Sequence, residues 1–350
     1  MVAPLHTGPD PAALQARLLP GVSRSFALAI PQLPKPLDQV VANAYLLCRI
    51  ADTIEDHPGL DLPAKRTLLD LFLATLDGTV PAAQFAATLH PLLGETTPPA
   101  ERDLVAEAEH VIGMTASFTP RQREILRQHV GIMCRGMPEF QGRGQQHGLP
   151  DLTTLDRYCY VVAGVVGEML TELYCEYSPE IAARHAELAA LARSFGQGLQ
   201  MTNILKDLWD DHRLGTCWLP RDVFAAVGYD LDRLDPVENR GGFNEGLAQL
   251  IGITHRHLRD ALDYTLLLPR QEIAIRRFCL WSIGLALFTL RRIHASPEYA
   301  SGEDVKVKRA IARRVMAACN LATSNDTLLR LMFSYAARGL PAVIKPSSGQ

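Results

Sequence analysis

A chain of 350 residues with 47% hydrophobic and 21% charged side chains and a mean hydropathy of +0.02 has the composition of a globular protein, which excludes extended disorder. Its 35 Lys+Arg against 38 Asp+Glu give a net charge of -3 with no block of five or six like charges, which argues against nucleic acid as a partner. Seven scattered cysteines, an odd number without a CxxC pair, indicate neither a disulfide framework nor a zinc site and suit a reducing cytoplasm.

Residues 1–11 carry no Lys or Arg and no apolar core, so no signal peptide is expected, and about the first 20 residues read as a tail. Apolar residues then recur at helical spacing almost everywhere, while alternating strand patterns are missing. This predicts an all-α protein with one domain over 1–350. Pro31, Pro34 and Pro36 precede a helix over 37–56, closed by His57-Pro58-Gly59. A second helix follows Pro63, and the proline-rich stretch 80–100 reads as a loop holding a short helix. The segment 136–150, GMPEFQGRGQQHGLP, has the composition of an exposed loop or lid, and Asp151 or Thr153 would cap a helix over 155–177. Further helices are expected over 179–211, 244–267, 269–294 and 304–319, with a turn at 215–222, a polar connection at 235–243 and a polar tail at 343–350. The longest charge-free apolar run near the C-terminus, 278–290, is about 13 residues, short of the roughly 20 that cross a bilayer, so no transmembrane segment is expected.

One signature occurs twice: Asp-x-x-acid-Asp, as DTIED at 52–56 and DLWDD at 207–211. Asp52, Glu55 and Asp56 are spaced i, i+3, i+4, as are Asp207, Asp210 and Asp211, so on a helix each set shares one face. Like charges at that spacing oppose helix formation, and acids at a helix C-terminus also meet the negative end of the dipole. Oxygen-only ligands without His or Cys suit Mg²⁺, which keeps several waters and takes one or two carboxylates plus substrate phosphates. Gln200 and Asn203 extend the second face with neutral polar groups, and Lys206 is the adjacent cation. The bland alternative for either cluster alone is a solvated helix end.

In collinear order, SRSFALAI at 23–30, YLLCRIADTIED at 45–56, YCYVVAGVVGEML at 158–170 and QMTNILKDLWDD at 200–211 resemble the motifs of the squalene/phytoene synthase family, the head-to-head isoprenoid diphosphate synthases. The resemblance implies a helical bundle around a deep central cavity with the two aspartate motifs facing each other across its mouth. It implies Mg²⁺ bound by Asp52, Asp56, Asn203, Asp207 and Asp211, with Glu55 and Asp210 assisting. Diphosphate oxygens also need cations, and Arg24 and Arg49 lie in the matching motifs. Ser23, Ser25 and Phe26 complete the first motif, and Tyr45 lies one turn before Arg49. Tyr158 matches a family tyrosine beside the reacting carbons, a candidate for proton handling or carbocation stabilisation. Ala163, Gly164 and Gly167 would let either an apolar substrate chain or a neighbouring helix approach the backbone closely.

Members of this family join two prenyl diphosphates through a cyclopropylcarbinyl diphosphate and then diverge. Squalene synthases add hydride from NADPH, whereas phytoene and dehydrosqualene synthases lose a proton. The helix around Phe278 (RRFCLWSIGLALFTLRRI, 276–293) followed by VKVKRA at 305–310 resembles the squalene-synthase pattern. It points to two farnesyl diphosphates as substrates and to Lys306, Lys308 and Arg309 as the grip on the NADPH phosphate. Two positions depart from the pattern: Ser282 stands where relatives carry Pro, and Thr216 where they usually carry Arg, so that phosphate contact is missing or passes to Arg213. The polar end PSSGQ contrasts with the membrane anchor of eukaryotic members and suggests a cytoplasmic enzyme that releases product by peripheral membrane contact. A non-catalytic lipid-binding or assembly subunit would be expected to have eroded acidic clusters, and here both are complete.

Overall fold

The side chain of Asp10 accepts a hydrogen bond from the amide of Ala12 at 3.3 Å and opens α1 (Pro11–Val22), whose Leu14, Leu18 and Leu19 are buried. Residues 11–20 are therefore not a tail: three leucines at helical spacing give this stretch a core face of its own. A computed structural model describes residues 10–141, 146–235 and 240–342, and among them helices and turns are interrupted only by an isolated bridge between Leu149 and Pro220. The fold is all-α. The polar tail expected at 343–350 and the centre of the expected lid, 142–145, lie outside the described residues.

Contacts divide the chain into two compact units, Met1–Glu139 with Glu172–Ser178, and Phe140–Thr171 with Pro179–Gln350. In the first unit the short α2 (Phe26–Ala29) leads to α3 (Leu37–Asp56), which ends where His57-Pro58-Gly59 was expected to close it. α3 is apolar around most of its circumference, with Leu46, Leu47, Ile50, Ala51 and Ile54 fully buried, because α1, α4 (Leu62–Leu76), α6 (Pro99–Ala106), α7 (Ala108–Thr115) and α8 (Pro120–Gly136) surround it. Between α4 and α6, α5 (Ala82–Leu89) is the short helix expected inside the 80–100 loop. Asp61 caps α4 and a Thr119/Gln122 capping box starts α8.

In the second unit Asp151 caps α9 (Leu152–Cys159), which passes through a π-helical stretch at Tyr160–Gly164 into α10 (Val165–Tyr177). The helix expected over 179–211 is broken into α11 (Pro179–Ala182) and α12 (His185–Arg213). α12 packs against the π stretch at unusually short range: a Cβ on Gly167 would lie 2.1 Å from the carbonyl oxygen of Ala192, and one on Gly196 would lie 2.0 Å from that of Ala163. Helix approach thus accounts for the small residues of the 158–170 motif. After α13 (Arg221–Ala225) come the long helices α14 (Arg240–Leu267) and α15 (Ile273–Ala295), both packed on α12, then α16 (Gly302–Val305), α17 (Arg309–Ala322) and α18 (Asp326–Ala336), the last not anticipated. At 23 residues α15 is long and apolar enough by composition to cross a membrane, yet 61% of its apolar window is buried inside the fold, as in a core helix. Its Arg276 is fully buried and bonds the Leu268 carbonyl at 3.0 Å and Asp326 at 2.5 Å, tying α18 to α15.

Candidate functional site

The last turns of α3 carry the first acidic cluster. Arg49 lies 3.9 Å from Asp52 and 3.8 Å from Glu101, which α6 contributes from 45 or more residues away in sequence, and the Thr53 hydroxyl donates to Glu101 at 3.3 Å. Burial pushes the Asp52 carboxyl up to about 7, with Asp56 and Glu101 adding like-charge repulsion that Arg49 only partly offsets. Asp56 is raised in the same way, first by burial. Burial alone would lower the Arg49 guanidinium, but Asp52, Tyr45 and Glu101 outweigh it and hold it charged. Tyr45 accepts from Arg49 at 3.4 Å and donates to the Val22 carbonyl at 3.2 Å, while its ring packs on Phe26 with centroids 5.3 Å apart. The Ser23 hydroxyl caps the start of α2 at the amide of Phe26, and Arg24 and Ser25 are exposed. Phe26, Tyr45, Arg49, Asp52 and Asp56 are thus brought together. Glu55 is buried beside Lys65 of α4, which donates to its backbone carbonyl and also attracts the Glu55 and Asp56 carboxylates.

The second cluster occupies the C-terminal turns of α12. Asn203 is exposed, Gln200 is half-buried, and Asp207 forms a 2.9 Å ion pair with Lys206. Asp210 is held by Arg213 and by the backbone amide of Gly302 at 2.8 Å. Arg213 also donates to the Ala300 carbonyl at 2.9 Å. The guanidinium considered as a substitute for the arginine missing at Thr216 is therefore committed to Asp210 and to the 300–302 segment. The Tyr299 hydroxyl donates to the Leu205 carbonyl, fastening the same segment one turn further back.

Tyr158, 6% exposed, is stacked on Trp218 with centroids 3.9 Å apart and ring planes 6° from parallel, and Phe140 meets it edge-on at 5.4 Å. Trp218 and Phe140 were not singled out from the sequence. Trp218 is delivered by the pairing of Leu149 with the 219–221 backbone, through Leu149 N to Leu219 O and Arg221 N to Leu149 O, each 2.8 Å. The expected exposed lid is accordingly anchored at both ends, with Met137, Pro138, Phe140 and Leu149 buried. Ala163, Gly164 and Gly167 serve the contact with α12 described above, the second of the two alternatives read from them. Phe278 is buried in α15, and the Ser282 hydroxyl returns to the Phe278 carbonyl at 3.2 Å, so the serine is satisfied within its own helix. In the basic strip Lys306 is paired with Glu303, whereas Lys308 and Arg309 are exposed where α17 begins.

The donors at both clusters are oxygens, as a hard divalent cation requires, and the repulsion among Asp52, Asp56 and Glu101 is of the kind a cation relieves. These residues fit Mg²⁺. Among the described residues no group of three or more Asp, Glu, His or Cys side chains is placed to hold a metal ion by itself. The exposed cations Lys308 and Arg309 fit a dinucleotide phosphate.

Comparison with known proteins finds related sequences and the same fold. The squalene synthase ERG9 of Gibberella zeae is 28% identical over 333 residues, covering 93% of this chain and 68% of that protein. The Botryococcus squalene synthase of Botryococcus braunii is 28% identical over 319 residues, covering 90% and 64%. The chain thus spans about two thirds of the length of these relatives. Among solved structures, a ligand complex of TcSQS matches with a TM-score of 0.77 at 23% identity, covering 97% of this chain and 94% of that one. A dehydrosqualene synthase matches with 0.62 at 20% identity, covering 93% and 97%. Both show the same fold. The family model for squalene/phytoene synthase matches residues 19–310, which takes in both acidic clusters, Tyr158 and the basic strip, and the chain belongs to the squalene/phytoene synthase family.

Proposed function

We propose that this chain is a squalene synthase, a transferase that condenses two molecules of farnesyl diphosphate head-to-head into a cyclopropylcarbinyl diphosphate and reduces it with NADPH to squalene. What carries this reading is the bond between the second carboxylate cluster and the segment that leads into the basic strip: the Gly302 amide holds Asp210 only four residues before Lys306. In this reading that bond ties the cofactor-phosphate grip to the diphosphate site. The names of the curated relatives agree with it.

In this reading Asp52, Asp56, Asn203, Asp207 and Asp211 hold Mg²⁺, which supplies charge neutralisation for the departing diphosphate, and NADPH supplies hydride. Arg49, fixed by Tyr45 and Glu101, presents its guanidinium to diphosphate oxygens. Tyr158, immobilised by Trp218 and Phe140, offers its hydroxyl for proton handling and its ring to cationic carbon. We also propose peripheral membrane contact for release of the apolar product, because Leu321 on α17 and Leu331 and Tyr335 on α18 are 89%, 62% and 66% exposed. The test is incubation of the purified protein with farnesyl diphosphate and Mg²⁺, with and without NADPH, followed by identification of the hydrocarbon. Squalene formed only with NADPH supports the proposal. The same hydrocarbon with and without NADPH replaces it with a dehydrosqualene or phytoene synthase.

A further inference from the structure

Gly302 stands against the carboxylates of the second cluster, and no positive backbone angle explains its presence there. A Cβ at this position would lie 2.6 Å from Oδ1 of Asp207 and 3.1 Å from Oδ2 of Asp210. The same residue's amide donates to Asp210 at 2.8 Å. Residue 302 therefore acts on both acids, by a hydrogen bond to one and by the absence of a methyl group beside the other.

The segment that brings it there is fastened to α12 at further points. Tyr299 bonds the Leu205 carbonyl, and Arg213 joins Asp210 to the Ala300 carbonyl at 2.9 Å. On the far side, Asp304 accepts from the amides of Ala300 at 3.0 Å and Ser301 at 2.9 Å, while Arg292 of α15 donates to the Asp304 carbonyl at 2.6 Å. Asp210 is thereby compensated by a guanidinium and an amide. Asp207 shares one oxygen with Lys206, and its other oxygen stands where a side chain at residue 302 would begin.

We infer that Gly302 is a positioning residue for the cation site: its amide fixes Asp210, and its missing side chain leaves Asp207 the space to direct an oxygen to a divalent cation. The inference rests on the metal-dependent reading proposed above and deepens it. An added methyl meets the movable ends of two aspartates, its next contact being the Lys206 carbonyl at 3.4 Å, an ordinary van der Waals distance. The fold therefore accommodates Gly302→Ala by turning the carboxylates, and the cost falls on cation binding.

The experiment measures Mn²⁺ binding to the full-length protein in the presence of inorganic pyrophosphate, using the paramagnetic resonance signal of free Mn²⁺. Gly302→Ala should weaken binding about 10- to 100-fold, the range for groups that orient metal ligands, with an unchanged thermal unfolding curve in the absence of metal. Gly113→Ala, where a Cβ meets nothing within 4 Å, is the control for exchanging a helical glycine and should bind as the wild type does. Wild-type affinity in a folded Gly302→Ala variant overturns the inference while leaving the metal-dependent reading intact. Absence of Mn²⁺ binding by the wild type overturns that reading, and the inference with it. Should Gly302→Ala fail to fold, Tyr299→Phe combined with Arg213→Ala removes two fastenings of the same segment without adding bulk, and an unchanged Mn²⁺ affinity in that variant overturns the inference.

Discussion

Replacing Trp218 with Ala should slow the reaction without weakening the hold on diphosphate. The indole covers one face of Tyr158 at 3.9 Å and 6°, and Phe140 supports the ring edge-on, so the phenol is held by two aromatic contacts in a site where it is 6% exposed. A stacked pair contributes about 0.5–1.5 kcal/mol beyond buried area, a small part of the stability of the fold. The larger effect is geometric: without the indole the phenol ring gains room to tilt, and a misplacement of about 1 Å at a reacting centre costs about 10²-fold. The expected result is a fall of about 10- to 100-fold in the single-turnover rate with farnesyl diphosphate, with inhibition by pyrophosphate unchanged. A double-mutant cycle isolates the cause: in a Tyr158→Phe background the hydroxyl is already gone, so Trp218→Ala should cost much less than in the wild type. Additive effects, or a single-variant rate within twofold of wild type, would refute the claim that Trp218 acts through Tyr158.

Asp52→Ala and Asp207→Ala should each abolish the first condensation, as should chelation of Mg²⁺ by EDTA; turnover of radiolabelled farnesyl diphosphate under any of these conditions contradicts the metal roles. Lys306→Ala combined with Lys308→Ala should still consume farnesyl diphosphate but accumulate the cyclopropyl diphosphate at NADPH levels that saturate the wild type, as read by mass spectrometry. Asp326→Ala leaves the fully buried Arg276 without its carboxylate and should destabilise the protein by about 3–5 kcal/mol in urea unfolding. Burial alone would raise the Asp326 carboxyl, but Arg276 and Arg270 hold it below its ordinary value. Its contribution to stability is therefore present above about pH 4, the range of an unfolded aspartate, and is lost as the pH falls through its lower folded value; a variant whose deficit does not shrink in acid argues against this assignment.

The elements that announced themselves in the sequence were those whose signals are local. The proline run before residue 37 and the His-Pro-Gly after residue 56 bound α3 as read, and Asp151 caps α9 as one of the two candidates offered. The acids that share the first cluster's face, Asp52 and Asp56, follow from helical spacing alone. What escaped depended on distant partners. Glu101 joins Arg49 only because α6 lies beside α3, and Lys65 reaches Glu55 only because α4 does. Trp218 reaches Tyr158 through a backbone pairing with Leu149, and Gly302 reaches Asp207 through a segment almost a hundred residues downstream. The first turns of α1 were read as a tail because composition near a terminus says little about whether three leucines will find a core.

The most direct test of the central claim follows the hydride itself. Farnesyl diphosphate, Mg²⁺ and NADPH deuterated at the transferable C4 position should give squalene containing a single deuterium per molecule, and Lys306→Ala with Lys308→Ala should lower the yield of labelled product at equal substrate consumption. Unlabelled C30 hydrocarbon formed at the same rate with or without the dinucleotide would contradict a reductive enzyme and leave 306–309 as a solvated surface.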